Sequence, residues 1–173
     1  MRLGPLRRVV RFGSVIGRVV MLLLAGALAV FALSGLFTHD HTRQEVVAAR
    51  GAEEMLFDLE RTTHRFEKTE RGGIQTVVAH EPDADQIALV RSHLREEAAR
   101  FARGDFDDPM AIHGMEMPGL VELRAGAARI EIAYADVPTG ARLMYTVAER
   151  RLRAALHAWF DAQLMDHGEH ARG

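Results

Sequence analysis

Residues 74–104 read IQTVVAHEPDADQIALVRSHLREEAARFARG, and the fold turns on the change of period at the centre of this stretch. The run up to His80 is rich in β-branched residues and reads as a strand. Glu81-Pro82-Asp83 stops that strand and introduces a helix from about Ala84 to Arg103. There Ile87, Val90, Leu94, Ala98 and Phe101 recur at steps of three and four, which makes one buried helical face. Gly104 closes the helix, as glycine commonly does just past a carboxyl terminus. Upstream, HRFEKTE (64–70) and the IQTVVAHE strand flank Arg71-Gly72-Gly73, so a hairpin around a glycine turn precedes the helix.

Working forward, a long connection runs from Asp105 to Gly119 and contains PMAIHGMEMPGL (109–120), with one histidine and three methionines. Irregular connections of that length are uncommon in compact domains and are often functional. Beyond it LVELRAG (120–126), ARIEIAYADV (128–137) and ARLMYTVAE (141–149) alternate well enough for three strands, with RAGAA and VPTG as turns. A last helix is expected from about Glu149 to Met165, burying Leu152, Leu156, Trp159, Phe160 and either Gln163 or Leu164. The expected order is β-β-α-loop-β-β-β-α, an α+β domain with two helices on one face of a small antiparallel sheet. Each helix follows a strand and carries one central histidine, a hint of internal duplication.

Working backward, TRQEVVAARGAEEMLFDLE (42–60) reads as a helical stalk weakened by Gly51. Before it, Val19 to Phe37 is VVMLLLAGALAVFALSGLF, nineteen residues without a charge. At ~1.5 Å per residue such a helix nearly covers a ~30 Å hydrocarbon core. Arg2, Arg7, Arg8, Arg11 and Arg18 precede it, so the positive-inside bias keeps the amino terminus in the cytoplasm and sends residues 38–173 across the membrane. A cleaved signal peptide, cut near Ala32-Leu33-Ser34, competes with this reading; the apolar run exceeds the ~7–15 residues of a usual signal core, which favours an uncleaved anchor. The expected organisation is a cytoplasmic basic segment (1–18), a transmembrane signal anchor in the inner membrane (19–37), a stalk or linker (38–62), a periplasmic α+β domain (63–168) and a tail (169–173).

Composition narrows the function classes. Of the 173 residues 48% are hydrophobic and 27% charged, which suits a foldable chain. The net charge of −2, with arginines dispersed among acids, argues against a nucleic-acid partner. Cysteine is absent, which excludes disulfides, zinc-thiolate sites and a thiol nucleophile.

Two pairs at helical spacing carry chemistry: His93–Glu97 and His157–Asp161. An i,i+4 separation lets the carboxylate hold the imidazole N–H and fix its tautomer. Side by side, the two helices would present both histidines to one pocket. The 105–119 connection adds His113 with Met110, Met115 and Met117. Thioether sulfur suits Cu(I), and imidazole suits copper and zinc. The expected metal ligands are therefore His93, His113 and His157 with Met115 or Met117, and Glu97 and Asp161 orient imidazoles from behind. The competing reading is a structural polar cluster, with the methionines filling core gaps. His167 and His170 fall in a frayed tail, and His39 and His41 just outside the membrane. GDFDDP (104–109) lacks the distal glutamate of a calcium loop and reads as a turn. There is no nucleophile elbow, phosphate loop or metalloprotease helix motif, so catalysis has little support.

The blocks VRSHLREEAARFARGDFDDPMAIHGMEMPGL (90–120) and ALHAWFDAQLMDHG (155–168) resemble a family of small exported bacterial proteins that carry the label aspartate carbamoyltransferase. The resemblance covers roughly residues 70–170 and implies export. The activity in the label does not follow from these residues. A carbamoyltransferase cradles phosphate at a helix start of Ser-Thr-Arg-Thr-Arg type between two α/β domains, whereas this chain offers RTTHR at 61–65 and one domain. The expected function is a membrane-anchored periplasmic binding protein, with copper or zinc held by the His/Met cluster. The alternatives are a structural or protein-interaction module that captures an envelope partner, and a small hydrolase using His93 oriented by Glu97.

Overall fold

The computed structural model describes residues 42–173. The anchor expected at 19–37, the basic segment before it, and His39 and His41 lie outside the described residues. Among those residues no helix is long and apolar enough to cross a membrane.

The domain is α+β, with five helices and a five-stranded mixed sheet. Residues 42–54 are helical (α1), and the helix ends before the Glu60 the sequence suggests. A 3-10 turn (Leu59–Arg61) leads into β1 (Thr62–Thr69), which pairs antiparallel with β2 (Gly72–Ala79) across Glu70-Arg71. Asp83 then starts α2 (Ala84–Phe101), its carboxylate accepting from the backbone N–H of Asp85 and Gln86. This is the physical content of the period change read at 81–83.

The 105–119 connection is not irregular. Phe106 stacks on Phe101 at 4.3 Å between centroids, and Trp159 meets both rings edge-on. That anchor allows α3 (Asp107–His113), with Pro109 in the first turn, where a missing N–H costs nothing. LVELRAG, expected as a strand, is helix α4 (Leu120–Gly126). Leu120 and Leu123, three apart, are buried while Val121 is exposed. Gly119 decides the matter: its φ is +79°, and a Cβ there would stand 2.1 Å from the Ala155 carbonyl oxygen. The close crossing seats α4 on the last helix, α5 (Arg150–His167). Strands β3 (Ile130–Val137) and β4 (Gly140–Val147) form the second hairpin. A two-residue β5 (Ala171–Arg172) lies parallel to β1, so the sheet is mixed rather than purely antiparallel. The observed order is β-β-α-α-α-β-β-α-β after α1.

Across the sheet the strands run β3-β4-β2-β1-β5. The two hairpins begin at Thr62 and Ile130, their second strands at Gly72 and Gly140, and a helix of 18 residues follows each. The β2–β4 ladder pairs Gly72 with Thr146 and Val78 with Gly140, so it is symmetric about Gln75 and Leu143. The duplication hinted at by the sequence is thus a β-β-α unit repeated about a pseudo-twofold axis. Both long helices pack on one sheet face: Gln75 on β2 bonds Glu97 of α2, while a Cβ on Gly73 of the same strand would strike Phe160 of α5. Phe66, Val77, Leu143, Tyr145, Leu94, Leu156, Trp159 and Phe160 fill the space between.

Candidate functional site

Where β1, α2, α3 and the end of α5 meet, four histidines surround a cavity of about 20 Å³, roughly one water or one ion in size. His64 points inward from β1 by alternation with Phe66; His93 comes from the buried stripe of α2; His113 is the last residue of α3; His167 is the last of α5. All four are buried. The His64 and His167 rings are 4.9 Å apart, as are those of His167 and His113. Phe57 closes the other side, 5.9 Å from His64 and 5.4 Å from His93.

Hydrogen bonds fix which nitrogens are free. His113 Nδ1 donates to Asp166 Oδ2 at 3.0 Å, which leaves Nε2 outside this bond. Asp166 is itself held by a two-bond fork from Arg43 of α1, at 2.5 and 2.6 Å. Burial pushes the Asp166 carboxyl up, and the bonds from His113 and Arg43 more than offset this, so its pKa is lowered and it is ionised. His167 Nε2 donates to the Gln163 amide oxygen at 3.1 Å, leaving Nδ1 free. His64 Nε2 is buried with no hydrogen-bond partner. Such orphans are rare in folded chains, and an unseen water or ion is one of the usual reasons for them.

Beside the histidines runs a second chain. Tyr145 Oη donates to Gln75 Oε1 at 2.7 Å, and Gln75 Nε2 donates to Glu97 Oε2 at 3.2 Å. Burial first, then the neighbouring Asp108 carboxylate, push Glu97 up to about 8, so it keeps its proton at neutral pH. Burial drives the imidazoles the other way: His64 falls to about 3, His167 well below its ordinary value, and His93 is lowered. These three rings are neutral, the form that ligates metals.

The residues singled out from sequence divide. His93, His113 and Glu97 line this cavity. His157 does not; its Nε2 donates to the Gly72 carbonyl at 2.7 Å, at the hairpin turn. His93 is the tenth residue of its helix and His157 the eighth, and two residues turn a side chain by about 200°. Trp159 occupies the tenth place in α5 and belongs to the core. Asp161 is 55% exposed and pairs with Lys68 rather than with His157. Met115 is 71% exposed and Met117 is 4% exposed in the core, so neither lines the cavity; Met55 is the methionine that does. Sequence reasoning missed His64, His167 and Asp166. The signal for His64 lay in its alternation with Phe66. For the other two it lay in the continuation of the α5 period to His167.

Among the described residues, as their side chains stand, no group of three or more His, Asp or Glu is placed to hold a metal ion. The cluster therefore consists of packed imidazole rings rather than a formed coordination shell. Comparison of the chain with protein-family models, with curated proteins and with solved structures finds no match.

Proposed function

We propose that this is an exported protein, held at the membrane by residues 19–37, whose α+β domain binds a zinc or copper ion through the buried histidines. His64, His113 and His167 are the ligands in this reading, with His93 next to them and Asp166 holding His113 from behind. The carrying observation is the orphaned Nε2 of His64, on a ring in contact with His167, which in turn contacts His113. Three imidazoles gathered from three different elements suit zinc and copper. A carboxylate on the far nitrogen of one of them is the usual support of a metal-bound histidine. Binding requires the His64 and His167 rings to turn about their side-chain torsions into a common point. Met115 and Met117 drop out of the donor set, and Met55 is the thioether available for Cu(I).

One observation favours the alternative of a purely structural polar cluster or an interaction module: the absence of three converging donors among the described residues. Titration separates the two. The full chain should take up one equivalent of Zn²⁺ or copper, and His64→Phe together with His167→Phe, which retain ring packing, should abolish uptake. Absence of stoichiometric uptake by the wild type, or uptake unchanged in the double variant, rejects the metal reading.

A further inference from the structure

We infer that Arg43 is a positioning residue for the histidine cluster, so that the seating of α1 and the occupancy of the cluster are thermodynamically linked; for its ligand this rests on the metal-binding reading above. Helix α1 has little apolar surface to hold it. Within 42–54 only Val47 and Gly51 are buried, and Val46 is exposed. Gly51 lies so close to the domain that a Cβ there would stand 2.8 Å from Leu59 Cδ1. A helical segment with so narrow a buried face belongs among the elements that open first.

The hydrogen bonds of Arg43, Gln44 and Arg50 on α1 end on the two segments that carry the cluster. Arg43 forks onto Asp166, and its Nη2 also reaches the His113 carbonyl at 3.3 Å. Gln44 Nε2 donates to the Met165 carbonyl at 2.9 Å, and Arg50 Nη1 to that of Ile112 at 3.5 Å. The acceptors sit in the last turns of α3 and α5, which terminate in His113 and His167. These bonds therefore tie α1 to the two helix ends that aim His113 and His167.

The chain of effect is short. Asp166 is 4% exposed, while the Arg43 side chain is 48% exposed. A buried carboxylate that loses its guanidinium must find another cation, take up a proton or turn toward water. Each outcome weakens its hold on His113 Nδ1 and frees the ring to rotate away from the cavity. In the other direction, a cation bound at His113 Nε2 makes the Nδ1–H a stronger donor, which fixes Asp166 and with it the fork. Linkage requires the two effects to be reciprocal.

Hydrogen exchange of the full chain, with Zn²⁺ alone as the probe, tests this. Arg43→Gln should speed exchange at 42–54 and weaken Zn²⁺ binding about 10- to 100-fold. Arg43→Lys should fall between, because it keeps the charge and loses the two-bond fork. Zn²⁺ should slow exchange at 42–54 in the wild type by a comparable factor. A folded Arg43→Gln chain that binds Zn²⁺ as tightly as the wild type overturns the inference. So does Zn²⁺ binding that leaves exchange at 42–54 unchanged. If the wild type binds no Zn²⁺, only the metal reading fails, and His113→Phe decides the coupling. Faster exchange at 42–54 with β2 and β4 unchanged supports it, and unchanged exchange at 42–54 refutes it.

Discussion

Replacing Glu97 by glutamine should cancel a pH dependence of stability that the wild type carries through neutrality. Folding moves this carboxyl from its ordinary 4.5 up to about 8, chiefly by burial. The folded chain then holds a proton that the unfolded chain has already released. The associated stabilisation is complete below about pH 4.5 and disappears as pH rises through about 8. The whole displacement corresponds to on the order of 5 kcal/mol, and linkage assigns about 2 kcal/mol of it to the interval from roughly pH 6.5 to 8.5. Glutamine is neutral throughout, and its amide oxygen can accept the bond that Gln75 Nε2 gives Glu97. The lowered histidines His64, His93 and His167 titrate with the opposite sign, but they are common to both proteins and cancel in the difference. Urea midpoints for both proteins, measured with chelator present at constant ionic strength, should diverge with rising pH. Glutamine should gain about 2 kcal/mol relative to the wild type over that interval. Parallel pH profiles for the two proteins would falsify the assignment of a buried, protonated Glu97, and with it the account of the Tyr145–Gln75–Glu97 chain.

Two further substitutions separate the parts of the domain. His157→Ala removes a hydrogen bond to the Gly72 carbonyl outside the cavity, so it should cost about 1 kcal/mol in denaturant unfolding and leave Zn²⁺ uptake unchanged within twofold; loss of uptake would return His157 to the ligand set. Gly119→Ala places a Cβ against the Ala155 carbonyl at a left-handed φ, and should destabilise by on the order of 3 kcal/mol. A thermal midpoint unchanged by that substitution would show that α4 can sit on α5 without the close crossing.

How much of this was legible in the sequence depends on the range of the interaction that decides each feature. The α2 boundary at Asp83 and the first hairpin are local, since capping, period and turn residues lie within a few positions of the elements they specify. The LVELRAG segment is not local. Its apolar residues at 120, 121 and 123 fit a strand as well as a helix, and the choice rests on Gly119 meeting Ala155, a residue 36 positions on. The site divides in the same way. His93 and Glu97 share a helix face, and their common orientation follows from spacing. The same rule applied to His157 and Asp161 gives a pair on the wrong side of α5, because a period fixes which residues share a face but not which face meets the core. Burial resolves that ambiguity. Counted from the start of each long helix, the tenth residue is buried in both: His93 in the first unit, Trp159 in the second. The symmetric scaffold thus places a polar group on one side of its axis and an indole on the other. Of the histidines that complete the cluster, His113 ends α3, an element the second unit lacks, and His167 ends α5 at the place Phe101 holds in α2. A site built this way belongs to the departures from the duplication, and so the search for its ligands starts with the residues that the two halves do not share.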